Sequence, residues 1–313
     1  MKNQAFEEAC RAFLPEGQLL VDEPMKKHTT FQIGGPADYL VMPSSIEDVQ
    51  RIVRAASAAH LPFMVLGNGS NVLVSDRGIR GVVLKLDKPM ANIRVAGTQV
   101  IAMAGALLKD VSAAAAAHGL RGLEYACGIP GSAGGAVFMN AGAYAGETKQ
   151  VAKAVRAVTR EGEIRSFSED ALDLGYRHSA FQTNGAIICE VTFQCEPGDQ
   201  GEIDGKIQDY TERRESKQPL EMPSAGSTFK RPKGYFAGTL IDQTGLKGLS
   251  VGGAQVSTKH AGFVVNKGGA TAADVLHLIA EVQHRVQSAH GVLLHPEVRL
   301  IGDWDPALLA SVQ

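Results

Sequence analysis

The stretch LGNGSNVLVS (66–75) sets Gly67, Asn68, Gly69, Ser70 and Asn71 directly behind the apolar run PFMVLG (62–67). Glycine lets a backbone approach a ligand closely and aim successive N–H groups at an anion, and serine and asparagine add short donors. The residues after the loop exclude two familiar scaffolds. A Walker loop ends in GK[ST], and a Rossmann fingerprint needs a third glycine opening a helix. Here NVLVS continues as a strand, so neither applies. Taken alone, such a loop serves as a hairpin turn as readily as a phosphate cradle.

A second segment, GIPGSAGGAVFMNAGAY (128–144), is more specific. Pro130, Gly131, Ser132, Gly134 and Gly135 put five turn-forming or small residues into six positions. A segment with so little side chain is able to lie against a large flat ligand; tight packing of neighbouring elements is the bland alternative. Together the two segments point to a dinucleotide bound on a non-Rossmann scaffold.

Working outward, an N-terminal unit is expected over 1–86, where Ser44-Ser45 with Glu47 and Asp48 starts the helix EDVQRIVRAASAAH. PFMVLG and GVVLKL (81–86) read as strands. A second unit over 87–212 opens with strand-like ANIRVAG and VIAMAGALL, then an alanine-rich helix, then strands AVRAVTR and AIICEVTFQCE. The polar stretch 196–206 reads as a surface loop near a boundary. A third unit over 213–300 holds PSAGSTFKRP (223–232) and a helix AADVLHLIAEVQHRVQSAH that Thr271 caps, with Asp274 at its third position. PEVRLIG is one more strand, and 301–313 is a tail. Helices and strands mix without a βαβ rhythm, so the class is α+β.

At 313 residues the chain is long enough for large cores, with 44% apolar and 20% charged residues. A net charge of −2 and the lack of a basic stripe argue against nucleic-acid binding. No apolar run reaches membrane-spanning length and MKNQAFEEAC is too polar for a signal peptide, so a cytoplasmic protein with no membrane partner is expected. Cys10, Cys127, Cys189 and Cys195 lack metal-type spacing and the histidines are scattered without HExxH, so free thiols and no metal are expected. Nothing in the sequence demands more than a monomer.

Ser227, behind Ala225-Gly226 and before Lys230 and Arg231, invites the reading of a nucleophile. No GxSxG surrounds it, and the segment holds no histidine base. A wider pattern reads it differently. TTFQIGGPADYLV (29–41), LGNGSNVLVSD, GLEYACGIPGSAGGAVFMNAGAY, YRHSAFQ (176–182), AGSTFKRP and HPEVRLIG occur in order across residues 25–302. In this the chain resembles the UDP-N-acetylenolpyruvoylglucosamine reductase family, flavoenzymes that make UDP-N-acetylmuramate for the bacterial cell wall, and among them the more compact subtype.

The resemblance implies an FAD-binding half of the vanillyl-alcohol-oxidase type, made of two α+β subdomains, followed by an α+β substrate-binding domain. It implies non-covalent FAD lined by Gly67, Asn68, Gly69, Ser70, Asn71, Gly128, Ile129, Pro130, Gly131, Ser132 and Gly134, with Ile33-Gly34-Gly35 completing that half. NADPH would reduce the flavin and leave. The enolpyruvyl ether of UDP-N-acetylglucosamine-enolpyruvate would then receive hydride at its vinyl carbon and a proton at C2. Arg177 would hold the substrate carboxylate, Glu297 would stabilise the enol form, and Ser227 would donate the proton to C2. Lys217 and Arg231 would meet the substrate phosphates, with Tyr144 and Tyr176 as walls. Lys259 is a further basic candidate, with a solvated surface as its ordinary role, and Arg213-Arg214 would either reach the FAD phosphates or cover the domain seam. Cys127, beside the flavin loop, is expected only to be small and apolar.

Two positions depart from the family pattern. His295 replaces a glutamate two residues before Glu297, and Arg231 replaces an asparagine. The rival readings are another flavin oxidoreductase of the same superfamily, lacking the YR, GS and PEV trio, and a non-catalytic nucleotide-binding module.

Overall fold

In a computed structural model, residues 2–312 are described. The chain forms two compact units, each assembled from three stretches. Unit 1 takes Met1–Val21, Tyr39–Asn68 and Gly81–Arg214; unit 2 takes Asp22–Asp38, Gly69–Arg80 and Glu215–Gln313. The division falls two residues past the expected boundary at 212, but it cuts across 1–86, because residues 22–38 and 69–80 group with the C-terminal stretch. Ile33-Gly34-Gly35 accordingly sits in unit 2. There the Gly35 N–H donates to the Ser75 carbonyl at 2.9 Å, and a Cβ on Gly35 would lie 2.7 Å from Gly78 N.

Unit 1 is built on a five-stranded antiparallel sheet in the order Ile164–Ser168, Ala152–Val158, Ile187–Gln194, Gln99–Met103, Ile93–Ala96. The strand Phe63–Leu66 runs parallel to Ile79–Lys85 in a second sheet, and Gly67 follows it directly. The helix Ile46–Ala58 forms as the sequence indicates. Ser45 accepts the Asp48 N–H at 3.0 Å, and Ile46, Val49, Ile52, Val53 and Ala56 put an apolar stripe into the core.

Residues 200–206, expected as loop, are helical: Gln200–Lys217 is one helix of 18 residues. Gly201, Gly205 and the upstream Pro197-Gly198 hid it, and Ile203 is its only buried residue. Asp199 starts it by accepting the Glu202 N–H at 3.0 Å, and the pairs Gln200–Asp204, Gln208–Glu212 and Asp209–Arg213 support its exposed side.

Unit 2 has its own core under the antiparallel sheet Ser224–Ser227, Phe263–Asn266, Ala254–Val256, Ser250–Val251. The helix Ala272–His290 supplies much of that core through Val275, Leu276, Ile279, Val282 and Val286. Its start is doubly capped. Thr271 and Asp274 form a capping box, and the Asp76 carboxylate accepts the N–H groups of Ala272 at 2.8 Å and Ala273 at 3.0 Å. All four cysteines are free thiols, and burial pushes Cys10 and Cys195 up to about 11 and Cys189 up to about 12.

Thr271→Ala is expected to cost about 1 kcal/mol, read as a lower urea midpoint at unchanged slope. Asp274 adds a pH dependence. Burial pushes its carboxyl up, but the N–H groups of Thr271 and Gly253 and the Thr271 side chain together hold it below the ordinary value. Its stabilisation is therefore complete above the unfolded carboxyl value and fades as pH falls through the folded one. The stability gap between wild type and Asp274→Asn should close on acidification below about pH 4.

Candidate active site

In unit 1 the two glycine segments meet. The Asn68 Nδ2 donates to the Pro130 carbonyl at 2.6 Å, and a Cβ on Gly67 would collide with Ser132 Oγ. From the other side Lys85 Nζ donates to the Gly67 carbonyl at 2.7 Å and pairs with Asp87 at 3.4 Å. Burial lowers the Lys85 pKa, and Asp87 offsets part of that. Gly134 is also required by close approach, a Cβ there lying 2.8 Å from Ala104 Cβ, whereas at Gly128 a Cβ would lie 2.7 Å from the Cδ of the flexible Arg214 side chain. The packing role of these glycines is thus real. What remains for a ligand is the backbone itself. Among the described residues, the N–H groups of Gly67, Asn68, Gly131 and Ser132 in unit 1 have no acceptor within the chain, and in unit 2 neither have those of Gly69, Ser70 and Asn71. Successive unsatisfied donors on a side-chain-poor backbone suit the pyrophosphate of a dinucleotide, so these residues fit FAD. Ile129 differs, its N–H being used on the Ala126 carbonyl at 3.1 Å.

Two loop tips of unit 1 hold side chains in an unfavourable backbone region. Tyr144-Ala145 join the paired strands Gly142–Ala143 and Gly146–Glu147 with φ of 51° and 66°, the signs a type I′ turn requires. Asn-Gly is the usual occupant, and nothing in Tyr-Ala announces such a turn. The Tyr144 ring stacks on Tyr210 with centroids 4.3 Å apart and planes 3° apart, and its hydroxyl donates to the Tyr210 carbonyl at 3.0 Å. Arg177 is the second case, at φ 53° in a turn closed by two 3.1 Å bonds between Gly175 and His178. The Arg177 carbonyl accepts from Gln182 Nε2 at 3.0 Å, and its guanidinium lies 5.3 Å from the ring of the exposed Tyr176. Non-glycine residues at positive φ cost of order 1 kcal/mol each and cluster where function over-determines the backbone.

In unit 2 the backbone brings Ser227 and Glu297 together. Ser227 ends the strand Ser224–Ser227, which bulges at Gly226 (φ 76°), so it is a strand-end hydroxyl on a bulge instead of a turn serine. A Cβ on Gly226 would meet nothing within 4 Å; the conformation alone asks for glycine there. The next residue, Thr228, accepts the Glu297 N–H on its carbonyl at 2.8 Å, and Lys230 N–H donates to the His295 carbonyl at 2.8 Å. Ser227 is exposed and Glu297 half-buried. The departing residue His295 is engaged here through its backbone.

Arg231 stacks its guanidinium 4.0 Å from the Phe236 ring, and Lys217 ends its helix exposed. Lys259 is tied to the Glu215 carbonyl at 2.7 Å and stands 3.9 Å from Glu221. Thus Arg177, Tyr144 and Tyr176 belong to unit 1, and Ser227, Glu297, Lys217 and Arg231 to unit 2. Sequence reading missed Tyr210 and Lys85. A helical 3–4 spacing running 207, 210, 211, 214 was the available signal for the first.

A cavity of about 330 Å³ in unit 1, lined by Ser44, Glu47, Arg94, Arg156 and Glu190 among others, contains none of these residues. Among the described residues no group of three or more His, Cys, Asp or Glu is placed to hold a metal, and no helix is long and apolar enough to cross a membrane.

The signature of the UDP-N-acetylenolpyruvoylglucosamine reductase C-terminal domain matches residues 218–301, and that of an FAD binding domain matches 37–168. A UDP-N-acetylenolpyruvoylglucosamine reductase of Clostridium perfringens is 54% identical over 290 residues, covering 93% of this chain and 95% of the relative. One from Clostridium botulinum is 52% identical over 285 residues, covering 91% and 93%. Among solved structures, the UDP-N-acetylenolpyruvylglucosamine reductase of Thermus caldophilus aligns with a TM-score of 0.77 at 36% identity, covering 90% of this chain and 97% of that one. An alkyldihydroxyacetonephosphate synthase aligns over 63% of this chain with a TM-score of 0.51 at 18% identity, a likeness of fold alone. The architecture is α+β, an FAD-binding part with a C-terminal substrate domain. The chain belongs to the UDP-N-acetylenolpyruvoylglucosamine reductase family.

Proposed function

We infer that the chain uses NADPH and non-covalently bound FAD to reduce the enolpyruvyl ether of UDP-N-acetylglucosamine-enolpyruvate to UDP-N-acetylmuramate, a step of peptidoglycan precursor synthesis. Bound FAD supplies the two-electron relay between NADPH and the enolpyruvyl carbon. Everything else is asked of the chain's own side chains. The unsatisfied N–H groups at 67–71 and 131–132 bind the cofactor phosphates, and no histidine occurs at 67–71 or 128–134 to take a covalent link.

Arg177 holds the substrate carboxylate with a planar, permanently charged fork. Negative charge builds on that carboxylate and on C2 as the vinyl carbon is reduced, so the guanidinium binds the transition state more tightly than the ground state. Glu297 stabilises the enol form. Ser227 gives its hydroxyl proton to C2, and Lys230 and Arg231, three and four residues on, favour the alkoxide until water restores the proton. Lys217 and Arg231 meet the substrate phosphates, and Tyr144 and Tyr176 wall the site.

The observation that carries this assignment is the Thr228–Glu297 backbone bond, which couples the acid and the proton donor through a single intervening residue. Four free thiols and a nucleotide reductant fit a reducing compartment, so the cytoplasm is the proposed location and a monomer the proposed working state.

Purified protein should be yellow and release FAD on denaturation; a colourless protein that FAD does not restore would refute the cofactor assignment. In stopped-flow, Ser227→Ala should accept hydride from NADPH at the wild-type rate and lose roughly 10²–10⁴-fold in reoxidation by the enolpyruvyl substrate. Slow reduction by NADPH with normal reoxidation would sink the role of Ser227. Arg177→Lys should remain folded and lose kcat/KM by at least about tenfold, because an ammonium lacks the bidentate fork; wild-type kcat/KM in that variant would remove Arg177 from the mechanism.

A further inference from the structure

The helix Gln200–Lys217 turns one face to the small-residue segment of unit 1. The Ile207 carbonyl and the Thr211 hydroxyl each lie 3.9 Å from Cys127 Sγ, and Tyr210 stacks on Tyr144. One turn further, the Arg214 side chain lies where a Cβ on Gly128 would stand, its Cδ 2.7 Å from that point. Its neighbour Arg213 is exposed and bonded to Asp209 at 2.8 Å. Arg214 is half-buried, and among the described residues no carboxylate lies within 4.0 Å of it and no acceptor takes its N–H groups. The ionisable groups that act on it are a phenol and a thiol, Tyr144 and Cys127. Burial disfavours its charged form, and the offset comes from a phenol and a thiol, with no carboxylate beside it. Buried cations are ordinarily paired, so a guanidinium held against bare backbone is a place for an anion that a ligand brings.

We propose that Arg214 faces the pyrimidine edge of the flavin and neutralises the negative charge that reduction leaves there. The inference rests on reading Gly128–Ser132 as the flavin wall. FAD bound here would take two electrons and one proton from NADPH, and its pyrimidine edge would then carry one negative charge. A planar donor fork that stays charged matches such an edge. The flat stack of Tyr144 on Tyr210 suits a ring in preference to a phosphate, and the N–H groups of Gly131 and Ser132, without an acceptor in the chain, are available to the phosphates.

The test uses the FAD-loaded full chain with Arg214→Gln and Arg214→Lys. Midpoint potentials are read by dye equilibration, FAD dissociation constants by fluorescence titration, and folding by circular dichroism. Arg214→Gln should lower the reduced-to-oxidised ratio at fixed potential by about tenfold or more, a shift of about 30 mV for a two-electron couple. Arg214→Lys should recover part of that shift. FAD affinity should stay within about threefold of wild type. An unchanged potential in folded, FAD-loaded variants overturns the proposal. So does weakened FAD binding at unchanged potential, which assigns Arg214 to the phosphates and leaves the flavin-site reading intact. If Arg214→Gln fails to fold, Arg214→Lys carries the same readouts. A wild-type protein that binds no FAD overturns the site reading and this proposal with it.

Discussion

Thr228 uses all of its polar groups to join the Phe263–Asn266 strand and the segment that carries Glu297. Its N–H donates to the Gly262 carbonyl at 2.8 Å, its hydroxyl accepts the Val264 N–H at 3.0 Å, and its carbonyl accepts the Glu297 N–H at 2.8 Å. The residue is buried, so each bond is made away from water and each would be costly to leave unmade. Through it the Ser224–Ser227 strand gains one partner on the sheet and a second in the segment that carries Glu297. Register across both joints is set by one residue, through backbone and side chain together, and the exposed Ser227 inherits its position from that buried neighbour. A hydroxyl meant to act on carbon needs no base beside it, but it needs a fixed origin.

Unit 1 is organised differently. Its predicted ligand contacts come from backbone, and the side chains around them act as spacers. Lys85, Asn68 and Ser132 hold two glycine segments against each other without covering their N–H groups. Where side chains do project, at Tyr144 and Arg177, the chain tolerates a left-handed backbone that glycine or asparagine would adopt more cheaply. The conformations persist because tight hairpins and the bonds Asn140 Nδ2 to Gly175 O at 2.9 Å and Gln182 Nε2 to Arg177 O at 3.0 Å hold their bases.

Much of this was legible in the residues alone. The helices opened by Ser45 and Thr271 announce themselves by capping residues and apolar period, and the strand after Gly67–Asn71 separates this loop from phosphate loops that open helices. The motifs containing Arg177, Ser227 and Glu297 carried the family likeness. Other features left little trace. The start of Gln200–Lys217 was masked by glycines whose propensity penalty is outweighed by the Asp199 cap and by side-chain pairs along the exposed face. The turn at Tyr144-Ala145 has no glycine or asparagine to betray it. That no carboxylate among the described residues lies within 4.0 Å of Arg214 is a property of the folded chain which no residue pattern announces. The division of the chain was the least visible feature, because the changes after Val21, Asp38 and Arg80 fall inside strands and the one after Arg214 inside a helix.

That division bears on synthesis. Every stretch of unit 1 has been made once residue 214 leaves the ribosome, and its sheet and core then have all their members. The segments 22–38 and 69–80 do not. Phe31, Ile33 and Leu73 belong to a core whose other members lie between Ala225 and Val298, so they wait in water until that stretch has been made. A nascent chain paused between residues 214 and 313 is therefore a folded body with two apolar loops hanging open. It should be the species that chaperones hold longest.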